Sequence, residues 1–306
     1  MESMKILVTG GAGFIGSHLV KALVEAGYSV RVLDNLSTGS LENLRGLSLD
    51  FVKGDVRNYD EVEKAVKGME AVVHLAALID VSESVEKPLD YLEVNVKGTL
   101  NVARASRNVD TVIFSSSCAV YGEPEKLPID EDHRINPKSP YAASKAGGEA
   151  YIISYANLYG YRPVILRFFN VYGPKQSRAY SGVITEFIRR AARGDPPIIY
   201  GDGEQTRDFI HVRDAVDAVV RSLKSNASGI YNIGSGKATK ISELAYLVLK
   251  TMNINALPVY MPPRPGDIRN SVADIKKAKE ELHFEPKIPL ERGIEMLSHE
   301  QGYQNL

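Results

Sequence analysis

The sequence predicts an α/β fold, a doubly wound parallel sheet with a smaller, mostly helical C-terminal domain. From Lys5 to about Asn170, β-branched apolar runs alternate with amphipathic stretches, which is typical of a parallel sheet covered by helices. After about Pro174 the alternation weakens, and proline and glycine become more frequent. We therefore predict a first domain over residues 1–173 and a second over 174–306, with some strands and helices crossing between the two.

The first domain is predicted to contain six strands, and the second to be built mainly from helices. The strands are Lys5–Thr9, Ser29–Leu33, Asp50–Val52, Ala71–Leu75, Thr111–Ser115 and Val164–Arg167. The helices are Val183–Arg193, Val212–Leu223, Ile241–Met252, Ile275–Leu282 and Leu290–Glu300.

The composition narrows the classes of protein that fit. The chain has 306 residues, with 37 basic and 38 acidic side chains, and this balance gives no indication of a nucleic-acid partner. Its single cysteine, Cys118, excludes an internal disulfide and fits a reducing compartment. No apolar run is long enough to span a membrane, and no signal peptide precedes the first strand. We expect a cytoplasmic protein with no membrane partner and no metal.

A glycine-rich turn follows the first predicted strand. Gly11, Gly13 and Gly16 match G-x-G-x-x-G, and Gly10 extends the looser G-x-x-G-x-x-G. Such glycines permit a tight turn, let the backbone approach a pyrophosphate and let the helix pack on the strand. Asp34 ends the next strand about 20 residues later, where a carboxylate binds ribose hydroxyls and repels a 2′-phosphate. The pattern predicts a Rossmann-type domain that binds NAD rather than NADP.

Two further strand ends are candidates for cofactor contacts. Asp55 follows the third strand, and it could contact the adenine or cap the helix that begins near Asn58, so both interpretations stay open. Ala71–Ala77 places small residues at another strand end, where a cofactor could lie close to the backbone. We interpret His74, within this segment, as a core histidine.

Two long helices are predicted at Pro88–Arg104 and Pro140–Tyr159. Their apolar stripes could be core, or the two helices could pair with their copies as four helices in a homodimer. Asn95 lies among apolar neighbours on the first helix and needs hydrogen-bond partners if it is buried.

Tyr141 and Lys145 share one face of the second helix because they are four residues apart. A phenol is a poor base at neutral pH, but a neighbouring ammonium and a bound cationic nicotinamide both favour the phenolate. Ser117, at the end of a serine-rich strand, can hydrogen-bond the same substrate hydroxyl and relay its proton. These residues predict a general base, a charged partner and a proton relay.

With these motifs the chain resembles the extended short-chain dehydrogenase/reductases, and among them the UDP-glucose 4-epimerases. The resemblance covers Lys5 to about Gly293, through Thr9–Gly16, Asp34–Leu36, Asp55–Val56, His74–Ala77, Asn95–Thr99, Ser115–Gly122, Tyr141–Lys145, Arg167–Gly173, Tyr200–Gly203, Arg207–Asp214 and Arg264–Asp267. It implies an N-terminal NAD domain and a C-terminal nucleotide-sugar domain.

The resemblance also implies a redox-neutral reaction on a UDP-hexose. Tyr141 would remove the proton of the sugar 4-hydroxyl while C4 gives its hydride to tightly held NAD, and the hydride would return to the other face of a transient 4-keto sugar. The implied cofactor contacts are Gly10, Gly13, Phe14, Ile15, Gly16, Asp34, Asn35, Leu36, Ser37, Thr38, Gly39, Asp55, Val56, Leu75, Ala76, Ala77, Asn95, Ser115, Tyr141, Lys145 and Phe169. The implied UDP-sugar contacts are Ser117, Tyr141, Asn170, Val183, Tyr200, Arg207, Arg264, Asp267 and Ser271.

Neighbouring reactions of the same family can be compared on the same residues. The 4,6-dehydratases and decarboxylases place acids beside the catalytic hydroxyl, whereas Cys118 and Ala119 stand there in this chain. The pair Phe169-Asn170 matches the neutral-hexose pattern, but Arg178 leaves a UDP-glucuronate 4-epimerase, or another nucleotide-sugar dehydrogenase of this class, as an alternative.

Ser271 is a departure, since it stands where sugar-selective members carry a bulky tyrosine. A smaller side chain leaves volume for an N-acetyl group, so UDP-N-acetylglucosamine is predicted to be accepted as well. A protein that binds NAD or a nucleotide sugar without turnover is a second alternative, and the presence of Ser117, Tyr141 and Lys145 argues against it.

Overall fold

A seven-stranded parallel sheet lies at the centre of the computed structural model, which describes residues 3–176, 182–263 and 268–300. The strands are β1 (Lys5–Thr9), β2 (Ser29–Asp34), β3 (Asp50–Lys53), β4 (Ala71–His74), β5 (Thr111–Ser117), β6 (Arg162–Phe168) and β11 (Gly229–Ile233). Their order is β11-β6-β5-β4-β1-β2-β3, and each neighbouring pair is parallel. The predicted doubly wound α/β fold is confirmed. Its order reverses between β1 and β4, the place where such sheets bind ligands.

The six predicted strands are all present, and the seventh, β11, was not predicted. It comes from the C-terminal part of the sequence and pairs with β6, from Gly229 beside Val164 to Ile233 beside Phe168. The central sheet is therefore completed by a segment beyond residue 173, and the domain boundary stays a prediction.

Helices cover both faces of the sheet. One layer contains α1 (Phe14–Glu25), α8 (Val212–Lys224) and α10 (Lys276–Leu282), and the other contains α2 (Tyr59–Val66), α5 (Gly98–Ala105) and α6 (Pro140–Tyr159). Each layer packs on its own buried apolar cluster. The short helices α3 (Val81–Glu86) and α4 (Pro88–Tyr91) precede α5 and contact α6.

The C-terminal part has a third buried cluster of its own, formed mainly by helices. These are α7 (Val183–Ala191), α9 (Ile241–Thr251) and α11 (Leu290–Glu300), so the predicted helices of this region are confirmed, with ends that differ by up to two residues. Three two-stranded sheets join them, formed by β7 (Asn170–Tyr172) with β10 (Phe209–His211), β8 (Ile198–Tyr200) with β13 (Val259–Met261), and β9 (Thr206–Arg207) with β12 (Thr239–Lys240).

The predicted helix Pro88–Arg104 is confirmed as helical along its length, but it is not α-helical throughout. Between α4 and α5 the residues Leu92–Lys97 form a π-helical segment, whose wider i→i+5 turns change which side chains face inward. Asn95 lies in this segment and is buried. Its side chain accepts a hydrogen bond from Leu78 N at 2.8 Å and donates to Leu78 O and Ser144 Oγ, both at 2.9 Å.

None of the helices in residues 3–176, 182–263 and 268–300 has the length and apolar character needed to cross a bilayer.

Candidate active site

A cavity of about 500 Å³ lies at the carboxyl ends of the parallel strands, on both sides of the point where the strand order reverses. Most of the residues assigned to the cofactor from sequence line it: Gly10, Gly13, Phe14, Ile15, Gly16, Asp34, Asn35, Ser37, Thr38, Asp55, Val56, Leu75, Ala76, Ala77, Ser115, Tyr141, Lys145 and Phe169. Ser117 lines the same cavity. The fold therefore brings the glycine turn and the predicted catalytic residues to one site.

The glycine turn fits a diphosphate because its glycines have no side chains to keep an anion away from the backbone. Gly10 has a φ of +71°, and a Cβ there would lie 2.7 Å from Ala76 N. At Gly16 a Cβ would lie 2.1 Å from Gly10 O, so glycine is needed for helix α1 to pack against the turn. Helix α1 begins at Phe14 with no side-chain hydrogen bond from its N-cap, Gly13. Its first N–H groups and the positive end of the helix dipole can therefore bind an anion in the cavity.

Asp34 stands at the end of β2 with its carboxylate held in place from both sides. One oxygen accepts a hydrogen bond from Ala12 N at 2.9 Å and the other from Leu36 N at 2.8 Å. The carboxylate is almost fully buried at the cavity wall, and each oxygen keeps a second lone pair. This geometry fits a carboxylate that receives two ribose hydroxyls.

Asp55 also lines the cavity and does not cap the following helix. Asn58 caps α2, so the capping interpretation of Asp55 is wrong. The Asp55 carboxylate is paired with Arg57 at 2.8 Å and accepts a hydrogen bond from Asn35 Nδ2 at 2.8 Å. The hydrogen bonds from Arg57 hold the pKa of Asp55 well below its usual range.

Three residues assigned to the cofactor from sequence do not line the cavity and instead support its wall. Leu36 donates its backbone N–H to Asp34, as described above. Gly39 packs on Ala12, since a Cβ there would lie 2.8 Å from Ala12 O. Asn95 fixes the backbone of Leu78, which does line the cavity.

His74 is a buried core residue, as interpreted from the sequence. Its two ring nitrogens are hydrogen-bonded to Thr9 Oγ1 at 2.7 Å and Thr99 Oγ1 at 3.0 Å. Burial lowers the pKa of His74 to about 3, so the imidazole is neutral. Thr9 Oγ1 also accepts a hydrogen bond from Ala76 N, which ties the cavity wall after β4 to the end of β1.

Tyr141 and Ser117 both line the cavity, and the Ser117 hydroxyl lies close enough to the phenol to lower its pKa. Tyr141 lies in the first turn of α6, which Ser139 caps by accepting a hydrogen bond from Ala142 N at 3.1 Å. Ser117 ends β5, and its Oγ accepts a hydrogen bond from Ala119 N at 3.2 Å. A substrate hydroxyl in the cavity can therefore reach a proton acceptor that has a relay close by.

Lys145 lies one helical turn after Tyr141 and also lines the cavity. Its Nζ donates to Ser115 O at 2.8 Å and lies 5.2 Å from the centre of the Phe114 ring. Burial lowers the pKa of Lys145 to about 8 and raises the pKa of Tyr141 to about 12. The expected lowering of the tyrosine pKa by the ammonium is not seen, since burial, Ser117 and Cys118 are the causes that act on the phenol.

Among the described residues assigned to the UDP-sugar from sequence, Ser117 and Tyr141 line this cavity, and Asn170, Val183, Tyr200, Arg207 and Ser271 do not. Asn170 begins β7 and donates both its backbone N–H and its Nδ2 to Asp208 O at 3.0 Å. Val183 begins α7 and Tyr200 ends β8. Arg207 donates to Thr206 O at 2.8 Å. Arg264, Asp267 and Arg178 lie outside the described residues.

Ser271 is buried near the end of strand β5. Its hydroxyl acts on the thiol of Cys118, the residue that follows Ser117, and lowers the pKa of that thiol. Desolvation raises the pKa of Cys118 to about 11, so this partly buried thiol stays protonated and is not a nucleophile. The positive charge of Arg207 also acts on Cys118, which brings that arginine to the same region.

Several cavity residues were missed in the sequence: Leu33, Gly54, Arg57, Leu78, Ile79, Asp90, Val94, Ser116, Phe168, Val171 and Gln176. Gly54 and Phe168 could have been predicted, because Gly54 directly follows β3, Phe168 ends β6, and ligands bind at the carboxyl ends of parallel strands. Asp90 and Val94 could not have been predicted, since they reach the cavity through the packing of a neighbouring helical segment.

A model of the NAD dependent epimerase/dehydratase family matches residues 6–234. The chain belongs to this family. A relative from Methanocaldococcus jannaschii, whose provisional name is UDP-glucose 4-epimerase, is 46% identical over 94% of this chain and 95% of its own. The UDP-glucose 4-epimerase of Mycolicibacterium smegmatis is 40% identical over 95% of this chain and 96% of its own.

Solved structures of the family share this fold and differ in their substrates. The UDP-glucose 4-epimerase of Thermotoga maritima with UDP-glucose is 40% identical, with a TM-score of 0.93 over 97% of this chain and 98% of its own. The UDP-N-acetylglucosamine 4-epimerase of Methanobrevibacter ruminantium, in complex with UDP-N-acetylmuramic acid, is 40% identical, with a TM-score of 0.94 over 99% of this chain and all of its own. The UDP-glucuronic acid 4-epimerase of Bacillus cereus, bound to UDP-glucuronic acid and NAD, is 33% identical, with a TM-score of 0.89 over 97% and 98%.

The comparisons establish an enzyme of the NAD-dependent UDP-sugar epimerase family. NAD is the cofactor of this family, and the cavity fits it, with an uncovered glycine turn, a helix N-terminus and a fixed carboxylate at Asp34.

Proposed function

We propose that the protein catalyses the NAD-dependent 4-epimerisation of a UDP-hexose, interconverting UDP-glucose and UDP-galactose and also accepting the N-acetylated pair. The meeting of Ser117, Tyr141 and Lys145 at the wall of one cavity carries this proposal, with Tyr141 one helical turn before Lys145 and the Ser117 hydroxyl close to the phenol. Such an arrangement can take a proton from a sugar hydroxyl in a site that also holds a dinucleotide.

When bound, NAD supplies an acceptor and donor of two electrons at C4 of the sugar, so the overall reaction is redox-neutral. Tyr141, as the phenolate, accepts the proton of the 4-hydroxyl and returns it after the sugar has turned. Ser117 hydrogen-bonds both the phenol and the substrate oxygen, and so keeps the transferred proton within the site. Lys145 binds the nicotinamide ribose through its ammonium. Asp34 receives the adenosine ribose and the turn at Gly10 receives the diphosphate.

Ser271 supports a pocket that is wide enough for an N-acetyl group. It is buried against Cys118, so a bulky ring in its place would extend toward the catalytic strand end. The neighbours named for N-acetylated and neutral sugars agree with such a range. A UDP-glucuronate 4-epimerase is the second candidate, because the structural neighbour from Bacillus cereus acts on that sugar acid.

Turnover of a panel of UDP-sugars by the NAD-loaded protein tests this proposal. We expect UDP-glucose and UDP-N-acetylglucosamine both to be epimerised by the wild type, and Ser271→Tyr to lose the N-acetylated sugar while keeping UDP-glucose. Ser271→Ala is the matched control, since it keeps the small volume and should keep both activities. Equal rates of UDP-N-acetylglucosamine epimerisation in the wild type and in Ser271→Tyr would refute the argument that Ser271 widens the sugar pocket. Turnover of UDP-glucuronate alone would favour the second candidate, and no turnover of any sugar would favour a binding protein.

A homodimer through helices 88–104 and 140–159 is part of this proposal. Leu89 and Leu158, one on each helix, are 72% and 69% exposed, and Leu92 and Tyr151 are exposed apolar side chains of the same two helices. Exposed large apolar side chains on two neighbouring helices support an interface there. Light scattering after size exclusion is expected to give a dimer for the wild type and a monomer for Leu89→Glu. Leu257→Glu, at a position that is 75% exposed elsewhere on the surface, should remain dimeric.

The cytoplasmic location stays a prediction.

A further inference from the structure

The end of strand β5 contacts helix α6 at three successive serines, Ser115–Ser117. Two of these contacts belong to the catalytic residues described above, and the third does not. The hydroxyl of Ser116 donates to a carboxylate oxygen of Glu149, two helical turns after the catalytic tyrosine. Glu149 is buried, with 5% of its surface exposed, and it has no part in the mechanism given so far.

Glu149 is held by a bidentate ion pair with Arg167 of the neighbouring strand β6. The Nε–Oε1 distance is 2.9 Å and the second pair of atoms lies at 2.7 Å, and the arginine is 3% exposed. Nη1 of the Arg167 guanidinium donates to Tyr121 Oη at 2.9 Å, and that hydroxyl donates to Asn232 Oδ1 at 2.7 Å. Stability alone does not explain this ion pair, because apolar residues of similar volume commonly do as well at a buried position.

Glu149 lies one helical turn after Lys145 and is the charged group that acts on it in this structure. Burial lowers the pKa of Lys145, and the carboxylate of Glu149 acts in the opposite direction. Two other titratable groups near Lys145 are neutral, since His74 on β4 has a lowered pKa and Tyr141 on α6 has a raised one. Phe114, on β5, contributes its ring, and the charged Arg167, on β6, is ion-paired with Glu149 itself. The carboxylate one turn away therefore favours the charged form of Lys145.

We propose that Glu149 is a positioning residue, which fixes helix α6 on strand β5 through Ser116 and Arg167 and keeps the buried Lys145 in its charged form. The proposal rests on the proposed function, in which the ammonium of Lys145 binds the nicotinamide ribose. It assigns a catalytic consequence to a side chain that touches neither substrate nor cofactor.

Nitrogen-15 NMR of labelled lysine side chains tests the proposal without any turnover. Lys145→Met identifies the signal, and its titration midpoint is then compared between wild type and variants. Glu149→Gln, which keeps the shape but removes the charge, is expected to lower the midpoint by about one unit. Glu149→Asp keeps the charge and should stay near the wild type. Glu280→Gln, an exposed carboxylate on α10, is the matched control and should change nothing.

An unchanged midpoint in folded Glu149→Gln, or an equal fall in the Asp and Gln variants, would overturn the proposal. Should Glu149→Gln fail to fold because Arg167 is left unpaired, the apolar double variant Glu149→Leu with Arg167→Met removes both charges, and the midpoint is again expected to fall. The alkaline limb of kcat against pH should fall by the same amount, with KM for the UDP-sugar little changed. Absence of turnover in the wild type would refute the proposed function and leave the titration result standing.

Discussion

The protonation of Tyr141 gives the sharpest test of the proposed chemistry. Burial raises its pKa to about 12 in the structure without cofactor. At pH 8, about 4 pH units below this pKa, forming the phenolate costs roughly 5 kcal/mol, at 1.36 kcal/mol per pH unit. A cationic nicotinamide within a few ångströms is expected to lower the pKa by about 1–3 units. Binding of NAD should therefore raise the fraction of phenolate by about ten-fold to a thousand-fold at the same pH.

The phenolate of Tyr141 can be followed by its ultraviolet absorbance, as the difference between wild type and Tyr141→Phe at each pH. The midpoint is expected to fall when the protein is loaded with NAD. NADH is the matched control, because its dihydronicotinamide ring is neutral, and it should leave the midpoint near that of the free protein. Equal midpoints with NAD and NADH would refute the reasoning. In the same preparations Tyr141→Phe should lower kcat by about a hundred-fold to ten thousand-fold.

Three other perturbations test the cavity. Lys145→Met should stabilise the cofactor-free protein by about 3 kcal/mol at pH 7, because the pKa of Lys145 falls from 10.5 to about 8 on burial. Thermal unfolding should show this gain in stability disappearing as the pH rises from 8 to 10.5. In that range the folded lysine has released its proton while the unfolded lysine still binds it. Gly16→Ala, whose Cβ would lie 2.1 Å from Gly10 O, should abolish NAD binding or folding, whereas Gly147→Ala, with its nearest atom at 3.6 Å, should be tolerated. Asp34→Ala should weaken NAD binding, measured by calorimetry, and reduce the preference over NADP; an unchanged ratio would contradict the ribose contact.

The sequence predicted those parts of the site that a short segment determines by itself. The turn at Gly10 and the carboxylate of Asp34 could be placed because each directly follows a strand, and parallel strands end at one edge of the sheet. Tyr141 and Lys145 could be placed on one face because a helix repeats every 3.6 residues. In each case local geometry and the direction of the chain were sufficient.

The parts that could not be predicted depend on contacts between distant segments. Strand β11 is short, lies in a region dominated by helices and loops, and is recognised as part of the central sheet only by its pairing with β6. The π-helical turn at Asn95 depends on the backbone of Leu78, with which its side chain pairs. The contact between Ser271 and Cys118 joins the two parts of the chain, and no periodicity in either segment indicates it.

Burial creates an electrostatic conflict in this site. Removing Lys145 and Tyr141 from water lowers the pKa of the amine and raises that of the phenol, and both changes oppose the charges that the proposed mechanism needs. A bound cationic ring favours the phenolate but disfavours the ammonium, so it can resolve only one half of the conflict. The carboxylate of Glu149, held by Arg167, supports the other half from within the protein. The proposed mechanism therefore requires a negative charge near the lysine as well as a positive charge beside the tyrosine, and loss of the Glu149 carboxylate is expected to move the alkaline limb of activity to lower pH.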